Sequence, residues 1–501
     1  MRNNSPFTTL TLIASMSLAM FTVSYNSTAI MNILVIMREQ LHLSVNGQQW
    51  AANIYMVLTA SFIIVGSQIS DRFGRRRIFI TAAIVFAIAS VIIACAHDLT
   101  QLLIGRAFQG IAAAFIAPGS LAILKANLPP EKIGRGISTW TAAIGLGLAL
   151  GPTLGGVISE LSSWRMVFAG NLLFLTISVA LIRLLPCTQQ LVKTRFDKAG
   201  LILLIGGLLP IMTALMQTKV WGLTSPLTLS LLFVGSISLV TFAVVELRIK
   251  APLIRFSHFK NKHFLASNLS NATTFFAVVS ILFFFNIYFQ NISLLNFTPL
   301  EAGLALLPLS LAMFTITFFI PTLIKTVGYK RLLSTSMLVM ALSLFWFSFI
   351  DVNTHYLSLV PALTLLGTTV GIALSASPAL GLSQFEAHEA SEASGILNTS
   401  NYLAAVLAVA IGGILFQWGN NVMITYITQT GELSTAHLQM IINSHANTLS
   451  ELLAQFPANF QDSVSLASAE LPLEGFKFVM FFTGLLALFS SVVSMRFIKT
   501  K

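Results

Sequence analysis

Gly66-Ser67-Gln68-Ile69-Ser70-Asp71-Arg72-Phe73-Gly74-Arg75-Arg76-Arg77 separates two apolar runs, at 48 to 69 and 78 to 96. Each run matches the roughly 20 residues that carry a helix across a bilayer. Between them, Arg72, Arg75, Arg76 and Arg77 crowd into six positions. Lys and Arg in a short loop hold that loop on the cytoplasmic side, so the stretch reads as span, cytoplasmic turn, span.

The rest of the chain repeats this unit. Of 501 residues, 55% are hydrophobic and 9% charged, against roughly 25% charged in a soluble domain. So few charges cannot cover the surface of a soluble fold. Thirty-nine Phe and sixteen Met, beside six Trp and seven Tyr, suit a lipid-facing exterior and an adaptable interior. The apolar stretch from Phe7 to about Met37 is too long for a signal peptide's apolar region of about 7 to 15 residues and is read as the first span. Cys95 and Cys187 fall near opposite faces, so they do not pair, and neither suggests a metal or redox site.

Apolar runs bounded by charges, Gly/Pro breaks or Asn/Asp turns predict fourteen helices, near 9–35, 48–69, 78–96, 100–124, 136–159, 165–185, 199–218, 226–246, 264–290, 301–325, 331–351, 356–380, 393–418 and 475–497. An even number puts both termini on one side. With that side cytoplasmic, the opposite side receives only Arg38, Arg165, Lys219 and Lys477, and Arg106 falls inside a helix; the other 23 of 28 basic residues are cytoplasmic. The +11 charge therefore reflects topology and contact with anionic lipid, and no nucleic-acid partner is implied. The connector 419–474 is expected to lie outside, with a short surface helix over 434–455 capped by Ser434.

Three motifs carry mechanism. Asp71 ends a helix, where the dipole disfavours a negative charge, so it calls for a basic partner or another helix's N-terminus. By charge alone the segment reads as a cytoplasmic anchor that happens to contain Asp; the order of its residues says more. In Leu103-Ile104-Gly105-Arg106-Ala107-Phe108-Gln109-Gly110, an Arg inside a span costs at least about 2.5 kcal/mol to insert. Such an Arg faces a cavity or partner, or snorkels to the interface. Ala143, Gly147, Gly151, Gly155 and Ser159 recur every four residues beside Pro152 and Gly156, a stripe on which another helix packs closely and at which the chain bends.

In order and spacing these segments resemble signatures of the major facilitator superfamily. Asp71, Arg72, Gly74, Arg75 and Arg76 match its loop signature, with Ser67 at the signature's glycine. Arg106, Gln109 and Gly110 match its fourth-helix signature. Gly147, Gly151, Pro152, Gly155 and Gly156 match the antiporter signature of drug exporters. Trp50 to Tyr55, Ser163-Trp164-Arg165, Glu301 to Pro308 and Ala393 to Ser400 extend the likeness to the fourteen-helix drug:proton antiporters. The resemblance implies an all-α membrane fold of two six-helix bundles, residues 1–190 and 251–501, with two further spans in 191–250. It implies proton-coupled export of small drug-like molecules across the cytoplasmic membrane, with no cofactor, and a monomer is expected. In it, the loop signature is a conformational latch, Arg106 serves coupling or substrate, and the helix-five segment seals and bends.

The chain departs from the pattern in its first helix. Asn26 stands where many relatives carry Asp, Met31 where they carry Asn, and Val35 where they carry Pro. No Asp or Glu falls near mid-membrane in any predicted span, which removes the usual proton carrier and the usual counter-charge for a cationic drug. Neutral residues remain as candidate cavity groups: Asn26, Asn53, Asn271, Gln290, Asn398 and Asn401. The lost acid leaves open an exporter of one endogenous metabolite, siderophore-like or otherwise anionic. A transporter-like sensor lacks a cytosolic domain to signal through. An enzyme is not expected, since no nucleophile-base pair, metal-ligand spacing or phosphate loop appears, and His388 with Glu386, Glu389 and Glu392 reads as a solvated helix entry.

Overall fold

A computed structural model describes residues 6–185, 197–222, 224–249, 252, 256–291, 293–385, 390–430, 433–443 and 449–499. The described chain is all-helical: α1 (Pro6–Gln40), α2 (Val45–Phe73), α3 (Arg75–Ala94), α4 (Leu99–Asn127), α5 (Pro130–Leu161), α6 (Trp164–Arg183), α7 (Lys198–Trp221), α8 (Pro226–Glu246), α9 (Lys262–Gln290), α10 (Pro299–Ala305), α11 (Leu307–Thr317), α12 (Ile320–Ser348), α13 (Tyr356–Leu382), α14 (Ala390–Thr430), α15 (Thr435–Asn443), α16 (Leu449–Leu453) and α17 (Gln461–Phe497). In lipid every backbone group must be satisfied within the protein, which leaves helices as the form these apolar runs can take. Their starts are set by short polar side chains: Ser44, Asp98, Asp197, Ser225 and Asn261 each accept a bond from a first-turn backbone N–H, and Thr298 with Glu301 forms a reciprocal capping box.

Two glycines divide helices at matching places. Gly74, with φ +99°, ends α2 and opens α3, and Gly328, with φ +78°, breaks α12. Residues with a Cβ rarely adopt this backbone region. Gly328 thus makes within α12 the kind of turn that Gly74 makes between α2 and α3. The tenth predicted helix is not one rod. It breaks at Leu306 and again at Phe318–Phe319, because Pro308 and Pro321 lack the N–H that would continue the preceding turn.

The stretch 419–474 also differs from expectation. In place of a connector, α14 runs on to Thr430 and α17 starts at Gln461, with α15 and α16 between them. Ile427, Leu433, Leu438, Leu452, Phe456, Val464 and Leu471 form a small core there. Polar residues such as Asn420 and Asn421 end an apolar run without ending a helix. The Ser434 cap is present, its Oγ accepting from the His437 N–H at 3.3 Å.

Among the described residues twelve helices are long and apolar enough to cross a membrane. The halves of α5, Thr139–Leu148 and Leu150–Leu161, meet at 48° and as one span raise the count to thirteen, while α2 offers the shorter apolar stretch Trp50–Ile63. Phe481, Leu485, Phe489 and Val492 of α17 make an exposed apolar stripe, as do Leu338, Leu342, Trp346 and Phe349 of α12. Stripes of this extent call for a lipid covering. Helices α1 to α6 pack mainly on one another, and α9 with α11 to α14 and α17 do the same, while α10 lies chiefly against α5. Helix α7 pairs with α8 and leans on α2 and α14. In its most apolar window α9 is 78% buried and α8 17%, so α9 is central and α8 peripheral.

Candidate functional site

Within the first helix group the α5 glycines bring α5 against α1. A Cβ on Gly147 would lie 2.6 Å from the Phe21 carbonyl, on Gly151 3.0 Å from the Ala29 nitrogen, and on Gly155 2.7 Å from the Ala29 carbonyl. Hydrogen at these positions lets α1 and α5 touch backbone to backbone. That contact carries the Pro152 carbonyl into reach of α1, where Asn32 Nδ2 donates to it at 3.0 Å. From the other group, Asn286 of α9 donates to Asn32 Oδ1, and Gln290 donates to Asn286 Oδ1. Thr153 Oγ1 donates to the Gly303 carbonyl of α10 at 2.9 Å. Helices α1, α5, α9 and α10 are therefore closed on one another near the end remote from Arg75 to Arg77. At that same end Trp164 Nε1 donates to Gln40 at 2.8 Å and Arg165 to the Ala96 carbonyl at 3.0 Å.

Arg106 is fully buried in α4 and does not snorkel. Gly110, one turn on, allows this position: a Cβ there would lie 2.5 Å from the Tyr55 carbonyl, so α2 and α4 run in contact. Arg106 Nε donates to the Ala51 carbonyl at 3.1 Å, Nη2 to the Ala52 carbonyl at 3.4 Å and Nη1 to Gln109 Oε1 at 3.2 Å. The Tyr55 ring covers the guanidinium at 4.6 Å. Gln109 Nε2 donates to Ser90 at 2.8 Å, and Asn26 Nδ2 donates to Gln109 Oε1 at 3.1 Å. Asn171 then donates to Asn26 Oδ1 at 2.9 Å. This chain ties α1, α3, α4 and α6 together around one cation, and every partner is neutral.

The loop signature works inside the first group. Arg75 Nη1 donates to the Ala122 carbonyl at 3.4 Å and Arg76 Nη2 to the Arg183 carbonyl at 3.0 Å, at the final turns of α4 and α6. Cations suit such carbonyl ends. Arg72 sits over the Phe73 ring at 5.5 Å. The Asp71 and Ser67 side chains, Cys187 and the His388 cluster lie outside the described residues. Gly66, one place before the signature position, meets α4, since a Cβ there would run into the Ala114 carbonyl.

The cavity candidates divide. Asn26 and Gln290 join the networks above, and Asn398 turns back to the Ser394 carbonyl of its own helix at 2.9 Å. Asn53 Oδ1, Asn401 Oδ1 and both amide atoms of Asn271 are buried without a hydrogen-bond partner. Buried amides in this state await a ligand or water. Sequence reasoning missed Asn32, Ser90 and Thr153 as seam and network members. A lone Asn in an apolar helix was the available signal for Asn32; Ser and Thr are too common in spans to give one.

These features define a multi-span helical membrane protein whose two helix groups meet at a hydrogen-bonded seam with a charged network beside it. The chain belongs to the Major Facilitator Superfamily, whose family model matches residues 16–409. It is 27% identical over 417 residues to the multidrug resistance protein Stp of Mycobacterium tuberculosis, covering 82% of this chain and 76% of that protein. It is 26% identical over 417 residues to the tetracenomycin C resistance and export protein of Streptomyces glaucescens, with 82% and 76% covered. To the puromycin resistance protein pur8 of Streptomyces alboniger it is 28% identical over 404 residues, with 78% and 79% covered. Its fold is similar to the crystal structure of a D-xylose-proton symporter, at a TM-score of 0.63 and 15% identity over 99% of this chain and 98% of that one.

Proposed function

We propose that this transporter exports small drug-like molecules across the cytoplasmic membrane by alternating access, in exchange for protons. On this reading it has fourteen spans with both termini cytoplasmic, and residues 1–190 and 251–501 rock about a central cavity while the two spans of 191–250 stand aside. The observation that carries it is the seam: α1, α5, α9 and α10 are joined near one end by a few hydrogen bonds among Asn32, Pro152, Thr153, Asn286 and Gly303, a closure that parts without unfolding any helix. The resistance and export proteins among its relatives support the direction of transport. The α5 glycines permit the bend, the Asp71 to Arg76 segment latches one state, and Arg106 with Gln109 and Gly110 serves coupling or cargo. Dye efflux from energised vesicles tests the coupling: collapsing the pH gradient while keeping the electrical potential is expected to slow export, and undiminished export would overturn proton exchange.

A second reading is a dedicated exporter of an endogenous anionic metabolite. It is favoured by Asn26, which occupies the acid's place and holds Gln109. Deleting the gene and profiling the medium separates the two: a missing compound supports the metabolite, drug sensitivity the broad pump.

A further inference from the structure

We propose that Arg106 is the counter-charge for an anionic group on the exported molecule, so that this carrier takes organic anions; the inference rests on the export reading above. A guanidinium has five N–H donors, and three of them are used, on the Ala51 and Ala52 carbonyls and on Gln109. Two, one on each terminal nitrogen, find no acceptor among the described residues. The next ring of the network adds Asn26, Ser90 and Asn171, so no negative charge reaches the guanidinium through its partners either. A cation sealed from water and surrounded by neutral dipoles is an uncompensated charge, the state in which a second charge of opposite sign is bound most strongly.

Among the described residues nothing comparable is offered to a cation. The acidic ones lie in loops, near helix ends or in the 419–474 extension, as with Glu39 in the last turn of α1, Glu160 in that of α5, Glu246 closing α8 and Glu301 opening α10. A positively charged cargo at mid-span would meet Arg106 and no carboxylate. An anionic one meets its complement.

The Tyr55 ring closes over Arg106. The Tyr55 ring that covers it is pinned by its own hydroxyl, which donates to the Val23 carbonyl of α1 at 3.1 Å. Helix α14, from the other helix group, packs on α2, the helix that carries Tyr55. Movement of α14 against α2 therefore bears on the aromatic cover.

Two xanthene dyes of opposite charge test this, with the full-length transporter in an efflux-deficient bacterial host. Fluorescein, an anion at pH 7.5, is expected to be exported at least tenfold faster than rhodamine 123, a cation. Arg106→Gln is expected to lose at least tenfold in fluorescein export, while Arg106→Lys, which keeps the charge, retains more than Arg106→Gln. Melting temperatures in detergent, read for both variants, separate lost charge from lost fold. If Arg106→Gln does not fold, the dye preference of the wild type and of Arg106→Lys decides. Preferential export of rhodamine 123, or fluorescein export by folded Arg106→Gln at the wild-type rate, overturns the inference while leaving the export reading intact. Export of neither dye counts against both.

Discussion

Asn286 of α9 donates a hydrogen bond to Asn32 of α1, and Asn32 in turn donates to the Pro152 carbonyl of α5 at 3.0 Å. One amide thus joins the central helix of the second group to the bent helix of the first. Asn286 is buried, so its loss is not made good by water in this state.

Asn286→Ala should loosen the closed end. Interhelical polar bonds in membranes average about 0.6 kcal/mol and reach about 1.7 kcal/mol. The upper figure corresponds to roughly a tenfold shift toward the open state. Leu148, buried at the seam and deeper than Pro152, reports it. In a Cys95→Ala, Cys187→Ala background, Leu148→Cys should react about tenfold faster with a membrane-impermeant maleimide when Asn286→Ala is added. An unchanged rate would mean that these amides do not hold the seam.

Two glycines on α5 separate packing from helix propensity. At Gly151 a Cβ would collide with the Thr28 hydroxyl and approach the Tyr25 carbonyl to 3.0 Å, whereas at Gly145 it meets nothing. Gly151→Ala should abolish most transport and lower the melting temperature, with an overpacking cost of about 1–3 kcal/mol. Gly145→Ala should be neutral or stabilising by up to about 1 kcal/mol, since Ala is the better helix former. Equal behaviour of the two variants would remove the α1–α5 contact from the explanation.

The left-handed turns give a matched pair. Gly74→Ala and Gly328→Ala each force a Cβ into a φ of +99° or +78°, at a cost of about 1–2 kcal/mol. Nothing lies within 4 Å of a Cβ at Gly328, so backbone strain alone should act there. Melting temperatures in detergent check it, and a drop at Gly74 without one at Gly328 would show that the second turn relaxes freely.

Much of this was legible before any coordinates. Apolar length and segregated arginines gave the helices, since lipid admits no alternative backbone form. The four-residue glycine step showed which face of α5 packs, because close approach needs small residues in a row. What stayed hidden depends on rotation and partner choice. Asn398 and Asn401 look alike in sequence, yet one bonds its own helix and the other is left without an acceptor's partner. Arg106 reads in the sequence as an inward cation ahead of a snorkelling one, and Gly110, by bringing α2 against it, fixes the inward position. The long helices of 419–474 escaped notice because polar residues interrupt hydrophobicity without interrupting hydrogen bonds.

Asn26→Asp restores the acid that many relatives carry, and the network makes its effect specific. The new carboxylate would keep the bond accepted from Asn171, lose the one that Asn26 donates to Gln109 Oε1, and supply beside the Gln109–Arg106 pair the negative charge that the cluster lacks. Neutralised in this way, the site should lose at least about tenfold in fluorescein export, and rhodamine 123 should gain. The electrical response should change with it. An anion leaving an inside-negative compartment gains about 2.3 kcal/mol per 100 mV from its own charge, roughly a fiftyfold gradient, and a leaving cation loses the same amount. With the pH gradient held at zero, imposing that potential should therefore drive fluorescein export by the wild-type carrier more strongly than rhodamine export by Asn26→Asp, because the charge of a leaving cation offsets that of one entering proton. An equal response in both would show that cargo charge is not set at this cluster.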